Sequence, residues 1–125
     1  MVPWITKVAE KRGGSIGELN YILCGDDFLL DINRNYLSRD YYTDIITFPS
    51  AKFPELSADI FISTDRVKEN AVTFSVSYDE ELRRVIIHGI LHLCGQGDKT
   101  EEESAQMRAG EDQALANYDA TFKED

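Results

Sequence analysis

The sequence predicts an α+β fold: a single domain, residues 1–125, in which a small mixed β-sheet is packed by about five helices. Three observations predict it. Three short apolar stretches bounded by turn residues read as strands, at residues 18–24, 43–48 and 58–62. Segments of helical pattern, several opened by capping residues, fill the intervals. Residues 85–94 are apolar on nearly every side, which buries that part of their helix against the sheet. At 125 residues the chain can bury a core without disulfide staples.

Residues 3–12 form the first predicted helix, with Ile5, Val8 and Ala9 on one face and Pro3 suited to its first turn. Gly13-Gly14-Ser15 ends it. The first strand alternates through Leu19, Tyr21 and Leu23. Asp26 or Asp27 can cap a second helix that runs to about Tyr36. The second strand is stopped by Pro49, and the third precedes Ser63, which can cap a helix over residues 64–74. Ser77-x-x-Glu80 and Thr100-x-x-Glu103 are capping-box patterns. They open the fourth helix and a last one reaching about Tyr118. Asp44 and Asp59 each start an apolar strand, and an edge contact and a site role have equal claim on them.

Charge and composition exclude several functions. A net charge of -10 argues against coating nucleic acid through bulk charge, and no DNA partner is expected. The acidity is uneven, with nine acidic and three basic residues from Asp98 onward. A local basic patch can draw on Lys7, Lys11, Arg12, Arg34, Arg39, Arg83 and Arg84, although solvated faces explain them more simply. No stretch approaches the ~20 apolar residues of a membrane span, and the first residues lack a signal-peptide pattern. Cys24 and Cys94 form no CxxC pair, so a reducing cytoplasmic setting is the simplest.

The fourth helix holds the chain's two histidines, His88 and His92. Four residues apart, they lie on one helix face and can share a metal ion. Gly95 and Gly97 give a sharp stop, after which Asp98 can turn back toward the same ion. Three protein ligands with one open position describe a catalytic metal site rather than a sealed structural one. The bland alternative, two core histidines and an unrelated aspartate, leaves buried ring nitrogens seeking partners. Cys94 is a conceivable fourth ligand, but it points off the ligand face and reads as a small buried hydrophobe.

The His-x-x-x-His-x-x-Gly-x-x-Asp spacing is that of extended metalloprotease motifs. There a glutamate follows the first histidine and serves as general base; here the residue is Gly89. Loss of that base costs about 10²–10⁴-fold, so a metzincin-like protease is the runner-up. With glycine in place, the stretch resembles the YbeY family of bacterial rRNA maturation factors, whose hallmark is His-Gly-x-Leu-His-Leu-x-Gly-Tyr-Asp-His. His88, Gly89, Leu91, His92, Leu93 and Gly95 match it. Thr43-Asp44-Ile45-Ile46-Thr47-Phe48-Pro49 resembles the family's Thr-Asp/Asn-Val-Leu-Ser-Phe-Pro strand, and Asn33 and Tyr36 fit the helix before it. Ala58-Asp59-Ile60 stands where the family has Gly-Asp-Ile, and Met107 and Glu111 fit the last helix.

The resemblance implies a metal-dependent, single-strand-specific endoribonuclease acting at the 3′ end of small-subunit rRNA and in ribosome quality control. It implies one divalent metal, usually zinc, on His88 and His92, with His88 also essential for activity. The third family histidine falls on Asp98, a competent ligand that suits harder metals such as manganese as well. The family's arginine after the helix tyrosine falls on Leu37, leaving Arg34 or Arg39 to supply its charge. Family members begin with an extra strand for which this chain shows no room. A basic groove beside the metal is expected, with Tyr41 or Tyr42 available for base stacking, although packing is the commoner role of such tyrosines. A non-catalytic ribosome assembly factor is the remaining alternative.

Overall fold

The computed structural model describes residues 2–123. Five helices and three strands follow in the order α1 (Val2–Lys11), β1 (Ser15–Cys24), α2 (Asp26–Leu37), β2 (Ile45–Pro49), β3 (Glu55–Ser63), α3 (Thr64–Phe74), α4 (Tyr78–Leu93) and α5 (Glu101–Lys123). The sheet order is β1-β3-β2. The central strand β3 runs parallel to β1 and antiparallel to β2. This is the expected α+β architecture with a mixed sheet.

Side-chain alternation assigns the two faces of the sheet. Ile45 and Thr47 of β2 point at Gly89 of α4. Their partners in register, Ile62 and Ile60, are fully buried. That face carries the main core. Trp4, Ile5, Val8 and Ala9 of α1 meet Val85, Ile87, Ile90 and Leu91 of α4 over it, and Met107 and Ala114 of α5 close it from outside. The opposite face presents Phe48 and Phe61. Their rings stand edge to face at 5.8 Å, and Phe28 and Tyr36 of α2 pack at either end. Leu29, Leu30 and Asn33 are buried beneath α2.

Caps fix the helix starts. Ser63 accepts from the Arg66 amide and Ser77 from the Glu80 amide, as read from the sequence. Thr100 and Glu103 complete a reciprocal capping box: each backbone N–H donates to the other's side chain. The second helix departs from expectation. Gly25 occupies its N-cap position without a side-chain bond. The Asp26 carboxylate instead accepts from Ser63 Oγ and Arg66, and Asp65 accepts from the Asp26 amide. A carboxylate that finds a guanidinium gains more than it does by capping its own helix. The bond locks the start of α2 to the start of α3.

Strand β1 begins three residues before the expected start, β3 likewise, and α5 runs past Tyr118 to Lys123. The early pairings include Ser15 with Glu55 and Ile16 with Leu56, and they rest on backbone bonds that polar side chains do not advertise. Asp59 therefore lies within β3 rather than at its start.

Trp4 anchors α1. It is 1% exposed, its indole N–H donates to the Ala114 carbonyl at 2.7 Å, and its ring meets Tyr118 edge to face at 4.9 Å. Trp4→Ala should cost about 3–5 kcal/mol by cavity formation alone, read as a lower denaturant midpoint in chemical unfolding. Trp4→Phe should cost less, because it removes the indole bond to Ala114 but keeps most of the ring's packing.

Candidate metal centre

Helix α4 carries both histidines because i and i+4 share a face, and it ends where the sequence places the stop. Gly95 has φ +94°, a conformation glycine alone adopts readily, and its N–H donates to the His92 carbonyl at 2.9 Å. The left-handed turn is made by Gly95 and not by Gly97. The loop that follows is tied to the start of α5. Ser104 Oγ donates to the Asp98 carbonyl at 2.8 Å, and Gln96 Nε2 donates to the carbonyls of Gly97 and Glu103. The tied loop returns Asp98 to the histidines.

His88 Nε2 and His92 Nε2 each lie 3.3 Å from Asp98 Oδ2. The three ligand atoms fall within 4.8 Å of one another. Bonds of about 2.0–2.1 Å in a tetrahedron separate neighbouring ligand atoms by about 3.3 Å, so the spacing suits a small divalent ion. The structure thus brings together the three residues read from the sequence. Cys94 stays outside the group. It is half-buried against the core, and burial raises its thiol pKa.

A fourth residue orients His88. Glu111 of α5 is buried, and its Oε2 lies 2.8 Å from His88 Nδ1. The carboxylate accepts the Nδ1 proton, which leaves the Nε2 lone pair facing Asp98 and His92. Arg84 holds the other Glu111 oxygen at 2.9 Å and Asp112 at 2.8 Å. Burial alone would lower the His88 pKa; the Glu111 bond and charge, with Asp44 and Asp98 beyond, hold it above the ordinary value. The sequence placed Glu111 on the last helix without this role, and Arg84 in a basic patch. The available signal was general: a buried histidine needs a partner on each nitrogen.

Gly89 is buried beside β2. A Cβ there would approach Ile45 Cδ1 to 2.8 Å and Thr47 Oγ1 to 3.6 Å. A side chain at this position would have to push the Ile45 methyl aside. With glycine here, α4 carries no counterpart of the protease base.

Two clefts meet at the centre. One of about 980 Å³ is lined by Leu37, Arg39, Tyr41, Thr47 and Lys99 among others. Another of about 420 Å³ is lined by Phe74, Glu81, Arg84, Arg108 and Glu111 among others. Asp44, His88 and Asp98 line both. Asp44 thus belongs to the site, whereas Asp59 is exposed and accepts a bond from Asn20 at 3.0 Å. Of the two candidate arginines, Arg39 lines the larger cleft, and Arg34 is held by Asp40. Tyr41 also lines that cleft, while Tyr42 lies under the Arg66 guanidinium. The positive charges there are Arg39 and Lys99. Arg83 lies over Tyr118, and Arg84 is paired with carboxylates.

A sequence profile of the endoribonuclease YbeY family matches residues 3–119. The chain belongs to the YbeY family. An endoribonuclease YbeY of Porphyromonas gingivalis is 47% identical over 119 residues, covering 95% of this chain and 79% of the relative. That of Phocaeicola vulgatus is 54% identical over 113 residues, covering 90% of this chain and 82% of the relative. A Thermotoga maritima protein solved in solution superposes with a TM-score of 0.65 at 27% identity, covering 99% of this chain and 85% of that one. The YbeY fold and the three-residue centre are thus found in one chain. Among the described residues no helix is long and apolar enough to cross a membrane.

Burial raises the Asp44 pKa, with His88 opposing and Glu111 adding to the rise. A carboxyl whose folded pKa lies above its unfolded value favours folding while both states are protonated, and loses that advantage as pH rises through the folded value. Metal-free Asp44→Asn should therefore melt above the parent at pH 7, with the gap closing below about pH 4. Thermal unfolding across that range checks it.

Proposed function

We propose that His88, His92 and Asp98 hold one divalent ion, most simply zinc, and that this centre cleaves single-stranded RNA internally. The single observation that carries the reading is a cluster of two imidazole nitrogens and a carboxylate oxygen within 4.8 Å of one another, in a chain of the endoribonuclease YbeY family. Two imidazole nitrogens and one carboxylate oxygen suit zinc, and the carboxylate also admits manganese. A bound divalent ion supplies Lewis-acid polarisation of a phosphoryl oxygen.

The chain's own groups do the rest. Glu111 holds the Nδ1 proton of His88 and fixes the ring. Arg84 holds the other Glu111 oxygen and keeps the carboxylate aimed. Arg39 and Lys99 attract the phosphates entering the larger cleft, and Tyr41, 53% exposed there, offers a face for a base. RNA brings a 2′-hydroxyl that can serve as an internal nucleophile, so the absent glutamate at position 89 is less costly than it is for peptide hydrolysis. The same glycine disfavours the protease reading.

We assign the substrate to rRNA, including the 3′ end of the small-subunit species, with the ribosome as partner and the cytoplasm as compartment. The support is the family membership and the motif. A protein of net charge -10 approaches a polyanion only through a local field. Binding should therefore weaken steeply with salt.

Mass spectrometry of the purified chain should find about one equivalent of metal, and far less in Asp98→Ala prepared in parallel. Labelled unstructured RNA should be cut by the parent, not by the variant, and not after chelation. Metal absent from both, even after reconstitution, would remove the nuclease reading in favour of an assembly factor. Glu111→Gln should keep the ligands but bind metal about 10–100-fold more weakly, as measured by competition with a chromogenic chelator.

A further inference from the structure

The larger cleft has a partner on the other side of the centre, and the proposed chemistry leaves it unused. An enzyme that cuts inside a strand must seat nucleotides on both sides of the scissile phosphate. The second cleft shares Asp44, His88 and Asp98 with the first, so a strand in one continues into the other past the proposed ligands. Its volume of about 420 Å³ falls at the lower end of the range for small-molecule sites.

Its walls suit a nucleotide. Phe74 closes α3 and is 52% exposed. The Arg108 guanidinium of α5 lies 5.8 Å from the Phe74 ring centroid. Among the described residues Arg108 has no carboxylate within ion-pair distance, in contrast to Arg84 on the same wall, which is held by Glu111 and Asp112. Asn70 stands one turn before Phe74 on the same helix face and also lines the cleft. Its amide can both donate to and accept from a base edge. A ring face, a guanidinium outside any ion pair and an amide together match a base, a phosphate and a base edge.

We infer that the cleft between α3 and α5 is a nucleotide subsite of the RNA strand, in which the base adjoining the scissile phosphate stacks on Phe74 and Arg108 holds the phosphate beyond it. This rests on the nuclease reading above. Asp44, Glu81, Asp98 and Glu111 line the same cleft, with Arg84 and Arg108 as its cations. Arg84 pairs with Glu111 and with Asp112, and burial raises the Glu81 pKa, with Arg84 and Arg108 countering and Asp44 and Glu111 adding to the rise. The two arginines offset part of the acidity that an entering phosphate meets.

The test uses a 12-nucleotide unstructured RNA with a 5′ fluorophore and the chain with and without metal. Anisotropy should show Phe74→Ala binding about 5- to 100-fold more weakly than the parent, in line with the loss of one stacked base. Phe74→Trp should restore binding. Arg108→Ala should weaken binding and flatten its salt dependence, and Arg108→Lys should recover part of it. In cleavage, KM should rise while kcat holds, because neither side chain touches the proposed ligands. A single abasic residue walked along the RNA should abolish the parent's advantage over Phe74→Ala only beside the cut.

Equal binding by all variants, with unchanged melting temperatures, would show the Arg108–Phe74 contact to be a surface stacking pair and would overturn the subsite. So would loss of the advantage at every abasic position alike. A parent that cuts RNA while the Phe74 and Arg108 variants match it defeats the subsite alone. A parent that neither binds nor cuts RNA defeats the nuclease reading and the subsite with it.

Discussion

The buried Glu111 carboxylate is the point on which the site depends. One oxygen takes Arg84 and the other His88. A buried carboxylate without such partners would be strongly destabilising, so α4 and α5 are held in the one arrangement that satisfies it. That arrangement turns His88 outward with its Nε2 free. It also places the start of α5 where Ser104 and the Thr100 cap bring Asp98 back to the histidines. Ligand geometry and helix docking are therefore one constraint. The aliphatic packing of α4 seats it on the sheet, and the Arg84 and His88 contacts of Glu111 tie it to α5.

Much of this was legible in the sequence. The His88–His92 spacing, the glycine stop and Asp98 are local features, and local periodicity governs them. The caps at Ser63, Ser77 and Thr100 are local too, and each is found as read. What escaped were relations between elements remote in sequence. Glu111 and His88 meet only once α5 folds back on α4, and nothing in a helical repeat says which of its acidic residues will face inward. Asp26 was read as a cap because the alternative, Arg66, lies forty residues away. Asp44 and Asp59 looked alike in sequence. The register of β2 against β3 separates them, with one at the meeting of two clefts and the other on an exposed ladder.

Gly89 shows how packing and chemistry constrain each other. Helix α4 approaches β2 closely at Gly89, where a Cβ would crowd the Ile45 side chain. The same approach carries Asp44, just ahead of β2, to the His88 side chain. Side chains of β2 thus lie against the position from which a metalloprotease presents its base, and Asp44 brings a different carboxyl to the rim of the centre. Acidity elsewhere on the chain does not decide what enters the clefts. Arg39, Lys99 and Arg108 line the clefts, and the remaining arginine there, Arg84, is committed to carboxylates.

The central strand of the sheet is the last of the three in chain order. During synthesis from the N-terminus, β1 has no partner until β3 has emerged, about forty residues later. Helix α4 can then settle on a complete sheet, but His88 gains its orienting carboxylate only when residue 111 has been made and α5 has docked. No nascent chain that stops short of Glu111 can hold the centre in its final form. The order of translation thus places completion of the His88–His92–Asp98 cluster after the sheet and α4 have been made.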